Sequence, residues 1–160
     1  MGQEIERKYL VRNLEWRDQV QKRSHFTQGY LASGPNNTVR LRIADDGAWI
    51  TIKGPRRKLT ALEFEYPIPI QDAHAMLPLC PSPPLSKTRH FLNYQGHEWI
   101  IDVFEGRLKG LVLGEIELNS EDEQFSLPPW LGEDVSDDQR YRNSALAADS
   151  EAKIHNGRLV

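Results

Sequence analysis

Apolar and polar residues alternate with a period of two along most of the chain, and turn residues rather than long helical runs interrupt the alternation. The pattern predicts strands over residues 3–11, 26–32, 38–44, 48–53, 62–68, 86–94, 98–104 and 111–119. Turns separate them at Ser33-Gly34-Pro35-Asn36-Asn37, Asp45-Asp46-Gly47, Gly54-Pro55 and Gln95-Gly96, with Asp46-Gly47 expected in a type I′ hairpin. Helical signals are few. Asn13 reads as the N-cap of a helix over 14–23, with Glu15 in its first turn. Residues 71–79 read as a short helix ended by the proline-rich stretch 81–84. Past residue 120 the chain turns acidic, and helical segments are expected over 121–125 and 138–148, around the break at Pro128-Pro129-Trp130. The final stretch, 149–160, has no clear pattern and is expected to fray. Hairpin-linked strands with few helices predict an α+β fold, mainly antiparallel β, as a sheet or barrel with helices attached. Strands continue on both sides of 81–84, so residues 1–160 are expected to form one domain.

The polar positions of these strands carry the information about function. Side chains at i and i+2 of a strand point the same way. Glu4, Glu6 and Lys8 therefore share a face, opposite Ile5 and Tyr9. Arg40 and Arg42 form a second such set, Thr51 and Lys53 a third, and Glu63 and Glu65 a fourth. Lys87 with Arg89, Asp102 alone, and Glu115 with Glu117 complete the series. One wet face of an antiparallel sheet would explain any single strand. The ensemble differs, because strand after strand stacks charges of one sign, which repel unless opposite charge lies between them. Carboxylates without Cys or His are hard oxygen ligands suited to Mg²⁺ or Mn²⁺. Guanidinium and ammonium groups on neighbouring strands suit phosphate oxygens. Gathered on one concave face, the two sets predict a site for a metal–polyphosphate complex inside a water-filled barrel, with the helices packed outside on the apolar faces.

Composition narrows this without changing it. The net charge of −3 gives no global attraction to nucleic acid or anionic membrane, so a polyanion must be recognised locally. The basic stretch Gly54-Pro55-Arg56-Arg57-Lys58 reads as a charged hairpin tip rather than a nucleic-acid patch. No apolar run reaches bilayer-spanning length, and charges begin early in the chain. With the single cysteine, Cys80, this predicts a cytoplasmic protein with no membrane partner, as a monomer or homodimer. The five histidines show no ligand spacing, and the tryptophans read as core and shell aromatics.

These motifs, taken in order, resemble the CYTH superfamily, the triphosphate tunnel metalloenzymes. Glu4-Ile5-Glu6-Arg7-Lys8 resembles its ExExK signature. Arg40-Leu41-Arg42, Thr51-Ile52-Lys53-Gly54, Glu63-Phe64-Glu65, Lys87-Thr88-Arg89, Asp102 and Glu115-Ile116-Glu117 follow in the family's order. Residues Arg140-Tyr141-Arg142-Asn143-Ser144 resemble the C-terminal segment of its short bacterial members, which include inorganic tripolyphosphatases. The resemblance implies an eight-stranded closed β-barrel, a tunnel with a charged lumen, that binds triphosphates with divalent metal. Many members carry an arginine two residues before the first glutamate of the Glu63 strand. This chain has Ala61 there, with Arg56, Arg57 and Lys58 just upstream as the available substitutes.

The expected activity is metal-dependent hydrolysis of a phosphoanhydride, with inorganic tripolyphosphate as substrate. Lys8, Arg40, Arg42, Lys53, Lys87 and Arg89 are the expected substrate-binding residues. Glu4, Glu6, Glu63, Glu65, Asp102, Glu115 and Glu117 are the expected metal ligands. Lys87 is the expected catalytic group at the leaving phosphate, with Lys8 as its competitor. Three alternatives stand beside this reading: a class IV-type adenylate cyclase, a nucleoside or thiamine triphosphatase, and a polyphosphate-binding module without catalysis. Tyr30 is open between a lumen position and an exterior one.

Overall fold

The computed structural model describes residues 2–160. The chain forms β1 (Glu4–Val11), β2 (Lys22–Ser33), β3 (Thr38–Ala44), β4 (Gly47–Lys53), β5 (Thr60–Ala61), β6 (Glu63–Ile68) and α1 (Ile70–Met76). It continues through β7 (Leu85–Tyr94), β8 (His97–Phe104), β9 (Val112–Glu117), β10 (Leu131–Asp134), α2 (Asn143–Ala148), β11 (Ile154–His155) and β12 (Arg158–Leu159). The main sheet runs β10-β1-β9-β8-β7-β2-β3-β4-β6, with every neighbouring pair antiparallel.

The ends of that sheet come together through β5. Just before β6, the chain pairs Ala61 with Glu4 and Thr60 with Ile5 of β1. The Glu63 amide donates to the Gly2 carbonyl and the Glu6 amide to the Leu59 carbonyl, each at 3.2 Å. The result is a nearly closed barrel walled by β1, β2, β3, β4, β6, β7, β8 and β9. The C-terminal half of β1 pairs with β10 instead, at Tyr9↔Asp134 and Val11↔Leu131. Between them β5 and β10 leave little of that edge open to pair with another chain.

Two apolar clusters hold this wall, one on each of its faces. Ile5, Tyr9, Leu92, Trp99, Ile101 and Ile116 lie on the outer face and are covered by Trp16, Trp130 and Leu131. Close approach is required here: a Cβ at Gly114 would stand 2.9 Å from Leu131 Cδ2. Helix α1 packs outside on β3 and β4, with Ala73 fully buried. The second cluster follows the parity of the charged positions. Leu10, Tyr30, Leu85, Phe104 and Leu113 continue the lumen-facing rows, and Tyr141, Leu146 and Ala147 of the C-terminal segment pack onto them. Helix α2 therefore seals one end of the lumen with apolar side chains, and the charged rows lie beyond this seal.

Several local expectations need correction. The helix expected over 14–23 is only a 3-10 turn, Glu15–Gln19, because β2 already begins at Lys22. Asn13 still accepts from the Glu15 amide at 3.0 Å, as a local turn rather than a helix cap. Residues 121–125 are not helical, and 138–148 divides into a 3-10 turn, Gln139–Tyr141, and α2. Neither Asp46 nor Gly47 has positive φ, so the β3–β4 hairpin is not type I′. That geometry belongs to Gln95-Gly96, with φ of 45° and 86°. It recurs at Asn156-Gly157, φ 51° and 77°, which turns the chain between β11 and β12 in the stretch expected to fray.

Candidate active site

The β-ladder registers bring the charged rows into one cavity of about 550 Å³. Glu4, Glu6 and Lys8 of β1 line it, as do Arg40 and Arg42 of β3, Lys53 of β4, and Glu63 and Glu65 of β6. Lys87 and Arg89 of β7 and Glu115 and Glu117 of β9 line it too. Asp102 is the exception among the expected site residues. It lies beneath the lining with its side chain 1% exposed. Tyr30 lines the cavity, which answers the open question about its side of the wall. Among the described residues, no histidine does.

Cross-strand pairing sets opposite charges against each other over most of the wall. Lys53 stands opposite Glu63 and Lys8 opposite Glu115. The Lys53 ammonium lies 2.8 Å from Glu4 and 3.3 Å from Glu63. Burial alone would lower its pKa, but Glu4, Glu6 and Glu63 outweigh burial and raise it. Lys8 lies 3.2 Å from Glu115 and donates to the Tyr141 carbonyl at 3.2 Å. Thr51 donates to Glu65 at 2.9 Å, and Arg40 reaches both Thr51 and Glu65.

A buried triad occupies the floor. Arg89 grips Asp102 with two hydrogen bonds of 2.8 and 2.9 Å, and Lys87 donates to the same carboxylate at 2.7 Å. These bonds engage both Asp102 oxygens, so Asp102 is the shared counter-ion of two cations. Burial works against its charge, yet Arg89 and Lys87 hold its carboxyl far below the usual carboxylate range. Burial pushes the Lys87 ammonium down to about 7; Arg89 and Arg42 reinforce the shift and Asp102 opposes it. Arg42 is pushed well down by burial, then by Arg40 and Arg89. A guanidinium nevertheless stays protonated, so Arg42 is a buried cation short of negative partners. Its Nε donates only to the Gln28 side chain, at 3.1 Å.

Three residues that the strand pattern does not single out join the site: Gln28, Arg142 and Asn143. Gln28 Nε2 donates to Asn143 Oδ1 at 3.0 Å, and Lys87 donates to the same oxygen at 2.8 Å. Gln28 was legible in principle, two residues before Tyr30 on the same strand face. Asn143 and Arg142 were not, because the tail reaches the cavity through contacts far away in sequence and no strand period marks them.

One part of the wall breaks the charge-matching rule. Glu6 pairs directly across from Glu117, carboxylate to carboxylate. Like charges opposite one another destabilise a sheet unless a cation lies between them. Burial raises the Glu117 pKa, and Glu4 and Glu6 raise it further. This donor set fits a hard divalent cation held by oxygen. Among the described residues, no three of His, Cys, Asp and Glu already stand close enough to form a ready-made cage, and the cations described above hold several of these carboxylates. Because folding raises the Glu117 pKa, the stability this group contributes is present below its ordinary 4.5 and is lost as pH rises through the higher folded value. Glu117→Gln is thus expected to raise the melting temperature at pH 7 in chelator by about 1–3 °C. The same substitution should shrink the stabilisation that added Mg²⁺ gives the wild-type chain. Thermal melts with and without Mg²⁺ check both effects; a lower melting temperature in chelator would contradict the repulsion argument.

Comparison with known proteins agrees with this geometry. The chain is 37% identical over 147 residues to an inorganic triphosphatase of Acetivibrio thermocellus, covering 91% of this chain and 94% of that one. It is 36% identical over 149 residues to an inorganic triphosphatase of Nitrosomonas europaea, covering 90% and 96%. The crystal structure of the inorganic triphosphatase NE1496 superposes with a TM-score of 0.67 at 34% identity, covering 89% of this chain and 96% of that chain. The CYTH domain family model matches residues 2–149. On the barrel, its charged lumen and these matches together, the chain belongs to the CYTH family.

Proposed function

We propose that the protein hydrolyses inorganic tripolyphosphate to pyrophosphate and phosphate, in a reaction that depends on a divalent cation. The observation that carries this reading is a single cavity in which two carboxylates, Glu6 and Glu117, face each other across a β-ladder and adjoin cationic side chains from β3, β4 and β7. A plain anion-binding module gains nothing from the carboxylates, and a plain metal site gains nothing from Arg40, Arg42 and Arg89. The two related inorganic triphosphatases, which match over nearly the whole chain, support the same substrate class.

Arg40, Arg42, Lys53 and Arg89 hold the phosphate oxygens and offset their charge. Glu4, Glu6, Glu115 and Glu117 would hold the divalent cation, with Glu63 on the adjoining wall. Bound there, it would neutralise phosphate oxygens and polarise the scissile bond. Water attacks the terminal phosphorus and releases a proton to solvent, from which Lys87 is later reprotonated, and the bridging P–O bond breaks. Lys87, whose pKa lies near 7, gives its proton to the departing pyrophosphate oxygen. Lys8 neutralises charge on the opposite wall. The cation is Mg²⁺ or Mn²⁺, since both prefer oxygen donors. A cytoplasmic location is part of the same reading. It is supported by the single, unpaired Cys80 and by the absence, among the described residues, of any helix long and apolar enough to cross a membrane.

Phosphate release from tripolyphosphate, ATP, thiamine triphosphate and pyrophosphate, each with Mg²⁺ and with Mn²⁺, tests the assignment. Tripolyphosphate is expected to turn over fastest, and excess chelator to stop the reaction. Faster release from ATP or thiamine triphosphate would move the substrate assignment, and cyclic AMP with pyrophosphate from ATP would make the protein a cyclase.

A further inference from the structure

Arg56 reaches the cavity by a route that the strand pattern does not supply. It lies in the loop between β4 and β5, just after Gly54-Pro55 breaks β4, and its guanidinium turns inward. Nη2 stands 3.1 Å from Glu6 Oε1 and 3.4 Å from Glu4 Oε1. Nη1 donates to the Leu59 carbonyl at 2.6 Å, which ties the group to its own loop. The wall residue paired with Glu4 at this seam is Ala61, which brings no charge. One guanidinium therefore straddles the two β1 carboxylates proposed above to hold the divalent cation. A hard cation would need the same oxygen lone pairs, so the two occupants compete.

A second arginine, Arg142, lines the same cavity. The Arg142 guanidinium is pushed below its ordinary range by burial and then by Arg56, with Glu6 opposing. Arg142 Nε is buried without a hydrogen-bond partner among the described residues. Two guanidiniums lining one cavity, one of them with a buried donor left over, favour a bound anion once the other is freed from its carboxylates.

We propose that Arg56 is a displaceable counter-ion. In the metal-free protein it neutralises Glu4 and Glu6. When those carboxylates turn to a divalent cation, Arg56 is released to bind the polyphosphate beside Arg142. The inference rests on the proposed reading of the cavity, but its metal-binding half does not require hydrolysis. Its consequence is reciprocal: metal frees a phosphate ligand, and polyphosphate frees two metal ligands.

Mn²⁺ titration of the full chain, followed by electron paramagnetic resonance without any phosphate, tests the proposal directly. Arg56→Gln is expected to bind Mn²⁺ about five-fold tighter than wild type, because the competitor is gone. Arg56→Lys keeps the charge but loses the fork that spans both carboxylates, so it should gain affinity by a smaller factor; it also carries the test if the Gln variant does not fold. The KM for tripolyphosphate should rise about ten-fold in Arg56→Gln, with kcat changed less. Mn²⁺ affinity that is unchanged or weaker in both variants overturns the proposal. Tighter Mn²⁺ binding in a protein whose wild type releases no phosphate from any triphosphate would leave the counter-ion role standing and remove only the catalytic reading.

Discussion

Lys87→Ala is expected to lower kcat on tripolyphosphate by about 10²–10⁴-fold while the protein stays folded. The ammonium sits on the cavity floor, held by Asp102 at 2.7 Å and Asn143 at 2.8 Å, with its charge destabilised by burial and by two arginines. A proton held near neutrality is ready to leave, as a departing pyrophosphate requires. Removing Lys87 leaves Asp102 in its two-pronged grip from Arg89, so no buried charge is orphaned and the stability cost stays small. Steady-state phosphate release beside a thermal melt separates the two effects. In the wild-type enzyme, kcat/KM is expected to decline as pH rises through about 7, where free Lys87 loses its proton. Wild-type turnover in Lys87→Ala would pass the catalytic role to Lys8 or remove it altogether.

Asp102→Asn should behave in the opposite way, with its largest effect on folding. Asp102 is the shared counter-ion of Lys87 and Arg89, all three lie beneath or along the floor, and Arg42 is close enough to add its own repulsion. Breaking a buried ion pair from the side that carries the shared charge costs about 3–5 kcal/mol, because the remaining charges are left uncompensated. The Asp102 pKa is depressed in the folded state, so the stability it contributes is present above its ordinary 3.8 and is lost as pH falls towards the folded value. Urea unfolding at pH 7 should therefore show the full loss for Asp102→Asn. The difference from wild type should begin to narrow as pH falls below the ordinary 3.8 and keep shrinking towards the folded value. An unchanged urea midpoint at pH 7 would mean that the triad is not the counter-ion system described here.

The period-two pattern makes most of the wall legible from sequence. β3 runs over the residues its alternation predicts, and the lumen-facing charges come out on one surface because side-chain parity follows from strand geometry alone. The barrel seam was less legible. Thr60 and Ala61 pair with β1 rather than β4, and only the tertiary closure decides that partner. The tail was hardest to read. Pro128-Pro129-Trp130 marked a break, but β10 finds its place only because β1 offers a free half-edge. The local composition of residues 138–148 suggested one helix, while the Tyr141 and Leu146 contacts with the barrel end divide the segment into a 3-10 turn and α2. Within the site, Asp102 shows the limit of reading charge without register. Its place directly opposite Arg89 pairs it with a cation, a partner that the charge of the residue alone does not reveal.

The cavity is expected to handle metal and triphosphate together. Phosphorus-31 nuclear magnetic resonance of tripolyphosphate with the wild-type protein and Mg²⁺ tests this most directly. One pyrophosphate and one phosphate should appear for each tripolyphosphate lost, and excess chelator should halt the conversion. Tripolyphosphate that persists unchanged with Mg²⁺ and, in a parallel phosphate-release assay, with Mn²⁺ would contradict the account.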